Sequence, residues 1–202
     1  KTNSLAERAN GDILAGTRCV LAQAGLPASF WTWAAPYYCL MDNLTMDEGG
    51  ERLYRKWVGE DFGADIIPFG CLVDYKVPPT RKGILPSKWD TQSSPGIFAG
   101  YELGMGGRWT KHYLVWDHRS FDDVSLSRDS RPKGKDLAEP IRVQTLKVTT
   151  MTPEFPLRAE YDRVNYTLDG RRELPHKGLL PGQDIFAHPR YPDGGTEDKR
   201  GK

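Results

Sequence analysis

In and beside the stretch VPPTRKGILPSKWD, residues 77–90, four cations (Lys76, Arg81, Lys82 and Lys88) surround Trp89. Basic side chains interleaved with an aromatic ring can neutralise backbone phosphates and stack a base. The same residues also suit a solvated loop whose tryptophan packs on a neighbouring sheet, and the sequence leaves both readings open. Glu7, beside Arg8 in NSLAERANGD, is the second candidate. Ser4-x-x-Glu7 ahead of an apolar-periodic run is the pattern of a capping box, in which both side chains satisfy free backbone N–H groups. Arg18 falls within about 20° of Glu7 on a helical wheel, three turns on, and Arg8 about 100° away; a solvated helix face accounts for both.

Other motifs carry less chemistry. Gly104-x-Gly106-Gly107 in LGMGGRW joins two strand-like segments and lacks the helix N-terminus that would hold phosphate, so it reads as a hairpin loop. Cys19, Cys39 and Cys71 are odd in number and form no C-x-x-C pair, and the four histidines have no ligand spacing with them. Neither a disulfide framework nor a zinc knuckle is indicated, and reduced thiols are the default. No nucleophile with a matching base stands out. A second basic cluster, Arg128, Arg131, Lys133 and Lys135, reads as a linker.

The elements that must position these residues fall into three zones. Up to about residue 60 the pattern is helical: Leu5, Ala9 and Ile13, then Val20, Leu21 and Ala24, share one half of a helical wheel. Gly25 suits the left-handed position after that helix, and Pro27 opens the next one, FWTWAAPYYCLM, where Pro36 should introduce a kink. Gly11 and Gly16 weaken the first helix by about 1 kcal/mol each against alanine. Trp31 and Trp33 cannot face the same side of a helix, so one is expected to be exposed. A short basic helix around ERLYRKWV follows. From about 66 to 128 the period changes to two: FGCLVDYKVP, GIFAGYEL, KHYLVWD and DDVSLSR read as short strands of a small barrel or strongly bent sheet. From SRPKGKD onward large apolar residues thin out. IRVQTLKV could add a strand and AEYDRV a helical turn within an otherwise extended, low-structure tail.

The net charge of +1 over 202 residues gives no global basic field, so any nucleic-acid surface has to be local. No apolar run approaches the roughly 18–20 residues that span a bilayer.

The opening stretch resembles the integrase of copia-type LTR retrotransposon polyproteins. Asn3, Ala6-Glu7-Arg8, Asn10, Arg18, Leu21, Ala24-Gly25-Leu26-Pro27 and Phe30-Trp31 stand in that family's order and spacing. FGCLVDYKVP, KWDTQSSPGIFAGY, HYLVWD and SLSRD continue the likeness to about residue 130. The resemblance implies an α+β protein: residues 1–60 as the truncated helical end of an RNase H-like integrase core, 61–130 as an SH3-like β-barrel, and 131–202 as a flexible tail. It makes Glu7 the last carboxylate of an Asp–Asp–Glu triad that holds two divalent metals, and therefore a catalytic and metal-ligating residue.

It places Arg8, Arg18, Lys76, Arg81, Lys82, Lys88 and Trp89 against DNA. Both triad aspartates precede this glutamate in the family, so Mg²⁺ or Mn²⁺ is expected only when the missing core is supplied, and the chain alone should not integrate DNA. Expected partners are DNA, an upstream integrase core and, through self-association, further copies, with no membrane. Expected localisation is intracellular, in a cytoplasmic particle and the nucleus of an active element. Asn10-Gly11-Asp12 departs from the family's N-R-T by losing a basic position and adding an acid. The alternative function is a non-catalytic protein-interaction module derived from, or resembling, the SH3-like domain.

Overall fold

The computed structural model describes residues 3–78, 89, 92–122, 124–127, 139–148, 150 and 152–165. Helix α1 (Asn3–Ala24) is followed by a 3-10 turn at Ala28–Phe30, helix α2 (Trp31–Asn43) and the short helix α3 (Leu53–Val58). Strands β1 (Leu72–Lys76), β2 (Ser93–Leu103), β3 (Trp109–Asp117), β4 (Ile141–Val143) and β5 (Leu146–Val148) come next, and helix α4 (Pro156–Asn165) follows β5. The class is mixed helix and sheet, as expected. All of these elements belong to one compact unit that ends at Asn165. The part of the expected tail between 141 and 165 supplies two strands and a helix to that unit. Residues 166–202 lie outside the described residues.

The end of α1 follows directly from its sequence. Gly25 adopts φ +71°, Leu26 N–H donates to Leu21 O at 3.0 Å and Gly25 N–H to Ala22 O at 3.3 Å. This is the Schellman arrangement, in which a glycine in the left-handed region lets the chain turn back and satisfy free carbonyls. Thr17, Leu21 and Ala24 are buried, whereas residues 3–12 are exposed throughout. The second helix runs unbroken through Pro36.

Gly16 is a packing residue rather than a weak point. A Cβ there would overlap the ring of Tyr38 from α2, whereas a Cβ at Gly11 would meet open space. Gly16→Ala is therefore expected to lose about 1–3 kcal/mol through overpacking, and Gly11→Ala to gain up to about 1 kcal/mol from helix propensity. Urea unfolding of the two variants should move the midpoint in opposite directions.

The five strands form one sheet in the order β4-β3-β2-β1-β5, and every neighbouring pair is antiparallel. Strands β4 and β5 lie at opposite edges, yet only Gln144 and Thr145 separate them in sequence. Three residue steps reach no more than about 11 Å, and five flat strands would measure about 19 Å across. The sheet must curl until its edges approach, and a bond from Lys76 N–H to Thr145 O (3.2 Å) carries the β1–β5 ladder up to that two-residue step. Register shifts at Phe98/Gly100 and Tyr101/Leu103 bend β2 to allow this.

The core lies between the curled sheet and α2. Trp116 is fully buried and makes ring contacts with Phe30, Trp33, Phe69 and Phe121. Tyr37 of α2 contacts Phe69, Phe98 and Tyr101, and its hydroxyl donates to Ile67 O at 3.0 Å. Of the two tryptophans on α2, Trp33 packs inward and Trp31 is 60% exposed.

Burial pushes the Tyr37 hydroxyl and the Cys71 thiol up to about 12, from ordinary values of 10.0 and 9.0, and raises Tyr101 as well. The folded state therefore holds these protons more tightly than the unfolded chain. The stability they contribute is whole below pH 9, where the first unfolded-state group titrates, and is lost as pH rises toward 12. Phenolate absorbance and circular dichroism followed together are expected to show buried tyrosines ionising only as the fold is lost.

Candidate nucleic-acid interface

The first turns of α1 present Glu7 and Arg8 to solvent. The helix begins at Asn3, so Ser4 lies inside its first turn rather than at a cap, and Glu7 Oε1 accepts from Asn3 Nδ2 at 3.0 Å. Arg18 is exposed on the same helix, eleven residues on, which is about 16 Å along the axis. Glu7 and Arg18 thus line one face without forming one site. Among the described residues no group of three His, Cys, Asp or Glu side chains is placed to hold a metal. Glu7 alone does not fit a two-metal centre, which needs several carboxylate oxygens converging on each ion. Tyr38, over Gly16, has its hydroxyl raised first by partial burial and then by the Asp42 and Asp12 carboxylates.

On the sheet, Lys76 is exposed at the end of β1, and Trp89 is 90% exposed rather than packed on the strands. Arg81, Lys82 and Lys88 lie outside the described residues, as do Arg128, Arg131, Lys133 and Lys135. The β2–β3 connection is a hairpin whose tip, Met105–Gly107, turns through Gly106 and Gly107 at positive φ.

Two features escaped the sequence. The first is a polar groove of about 420 Å³ at the sheet seam, lined by Lys76, Pro78, His112, Arg142, Gln144 and Thr145. Glu102 stands beside it: Oε1 accepts from Arg142 Nε at 2.8 Å, and Oε2 accepts from Thr110 Oγ1 at 3.1 Å and lies 3.6 Å from His112 Nδ1. His112 Nδ1 is 3.0 Å from Thr110 O and Nε2 is 3.3 Å from the Gln144 amide nitrogen. These contacts suit the neutral ring with its proton on Nδ1, donating to the carbonyl while Nε2 accepts from Gln144. The alternation of KHYLVWD and IRVQTLKV put His112 and Arg142 on outward positions. Only the pairing of Leu114 with Arg142 and of Tyr113 with Val143 brings the two together.

The second is an apolar groove of about 580 Å³ between α2, α3 and the hairpin, lined by Pro36, Leu40, Leu53, Tyr54, Trp57 and Leu103. Trp57 is 80% exposed, yet its indole N–H donates to Gly106 O at 2.9 Å. Arg108 grips Glu60 through two bonds of 2.7 and 2.8 Å, which fixes the hairpin beside α3.

The chain is 31% identical over 118 residues to the retrovirus-related Pol polyprotein from transposon TNT 1-94 of Nicotiana tabacum. The match takes in 57% of this chain and 8% of that polyprotein, so the chain spans less than a tenth of its relative's length. This likeness supports an origin in a retrotransposon polyprotein. No family model matches the chain, and no solved structure matches it.

Proposed function

We propose that this chain is the C-terminal part of a copia-type retrotransposon integrase: the helical end of an RNase H-like core, carrying Glu7, followed by an SH3-like barrel that contacts DNA. The observation that carries this reading is the half-covered α1. Only Thr17, Leu21 and Ala24 of this helix are buried, all toward its C-terminal end, while Leu5 is 73% and Leu14 56% exposed. An apolar stripe left bare beside Ala6-Glu7-Arg8 is what an integrase sheet would cover, and that upstream core would bring the two aspartates. Glu7 then serves as one ligand of a divalent metal site completed from outside this chain, and this chain alone performs no strand transfer. The curled antiparallel sheet, closed by a two-residue step between its edge strands, agrees with an SH3-like barrel. In an active element the chain works in a cytoplasmic particle and the nucleus, with the upstream core and further copies of itself as partners.

DNA contact falls to Arg8 and Arg18 on the helix and to Lys76, Arg81, Lys82, Lys88 and Trp89 on the barrel. The test is duplex binding by the full chain across a salt series, beside a variant with Lys76, Arg81, Lys82 and Lys88 changed to Ala. Strong salt dependence that the variant loses supports the reading; no binding at low salt overturns it.

The apolar groove beside Trp57, with Met105 fully exposed at the hairpin tip, favours a second reading as a protein-interaction module. Binding through that groove would be nearly indifferent to salt.

A further inference from the structure

We propose that the polar groove at the seam of the sheet holds one phosphate group of a nucleic-acid backbone, with Lys76 and Arg142 as the cations, the Gln144 amide as a donor, and Glu102 as the carboxylate that weakens the site by competing for Arg142. The proposal rests on the DNA reading above and adds residues to it that the sequence did not single out.

The curl of the sheet makes this site. Lys76 ends β1 and Arg142 sits in β4, two strands that do not pair, and they line one groove only because the chain steps from β4 to β5 through Gln144 and Thr145. Lys76 has no ion-pair partner among the described residues. Arg142 uses Nε on Glu102, and a guanidinium carries four more N–H donors in a fixed fork that matches phosphate oxygens. Two cations against one carboxylate leave the groove with one positive charge, enough for one phosphodiester. Gln144 is already held by His112, so its amide is oriented before a ligand arrives. Pro78 lines the groove, and the sequence that leaves it runs on to Arg81 and Lys82.

Glu102 distinguishes a phosphate site from an ordinary surface ion pair. A carboxylate 2.8 Å from Arg142 Nε occupies the position a phosphate oxygen would take, so phosphate has to displace it or share the guanidinium with it. Removing the charge at Glu102 should therefore strengthen binding, whereas removing the charge at Arg142 should weaken it.

The experiment measures anisotropy of a labelled duplex with the full chain and its variants Arg142→Gln and Glu102→Gln. Arg55→Gln and Asp61→Asn serve as charge-matched controls, because Arg55 and Asp61 pair with each other and neither lines the groove. Arg142→Gln is expected to weaken binding about tenfold and to lower the salt slope by about one, more than Arg55→Gln does. Glu102→Gln, which still accepts from Thr110, is expected to tighten binding several-fold more than Asp61→Asn. It decides the matter alone should Arg142→Gln lose its fold by circular dichroism. Duplex binding that treats each groove variant like its control overturns the groove and leaves the DNA reading standing. Absence of duplex binding at low salt overturns both.

Discussion

Changing Gly25 to Ala is expected to cost about 3 kcal/mol or more of folding stability, whereas the same change at Gly59 costs only about 1–2 kcal/mol. Both glycines follow a helix in the left-handed region, at φ +71° and +85°. At Gly59 a Cβ meets nothing within 4 Å, so only the backbone strain is felt. At Gly25 it would stand 2.5 Å from Arg158 Cα, 2.6 Å from Arg158 N and 2.8 Å from Leu157 C, all backbone atoms at the start of α4. The backbone of α4 cannot rotate aside as a side chain can. It either shifts as a body or leaves, and it is held there by the buried Leu157 and Tyr161, by Arg158 Nη1 donating to Ala22 O, and by the buried Asn165 amide donating to Leu126 O. The difference between the two variants in urea unfolding therefore measures how firmly α4 docks. A Gly25→Ala cost no larger than that of Gly59→Ala would mean that α4 yields freely, and amide exchange over residues 156–165 would then be fast in the parent protein too.

The same corner of the fold separates what could be read from the sequence from what could not. Ala24-Gly25-Leu26-Pro27 was legible because a helix stop depends on local backbone chemistry: a glycine that tolerates positive φ, then a proline that opens the next turn. Strands β1, β2 and β3 were legible because a half-buried strand repeats every two residues for long enough to be seen. IRVQTLKV was legible as one added strand, but its division into the three-residue strands β4 and β5, and their position at opposite edges, is a property of pairing, not of composition. Gly16 looked like a defect because helix propensity is local, while the Tyr38 ring above it arrives from another helix. The seam groove was hidden for the same reason: Glu102, His112 and Arg142 come from three strands, and each alone is an unremarkable polar residue at an outward position. Glu7 was legible as a chemical candidate only through its surrounding sequence. Its contact with Asn3 gives no sign of catalysis.

The affinity of the full chain for duplex DNA is expected to fall roughly 100-fold between about 50 and 200 mM salt, and the variant lacking Lys76, Arg81, Lys82 and Lys88 should lose most of that dependence. The magnitude follows from counterion release. Four cations that each neutralise one phosphate give a slope of roughly −3.6 in log affinity against log salt, and a fourfold rise in salt then costs about two powers of ten. A net charge of +1 makes this diagnostic, because a chain without a global positive field can show a steep slope only through a local cluster. If the slope survives the four substitutions, the contacts lie elsewhere, and Arg8 and Arg18, both exposed on α1, become the residues to change. If binding is present and flat with salt, burial of apolar surface drives it, which points to the groove at Trp57 and away from phosphate. A steep slope that vanishes with the four cations would leave Trp89 to be tested alone. Trp89→Ala should then lower affinity by the roughly 1–3 kcal/mol of a stacked base without changing the slope, since stacking releases no counterions.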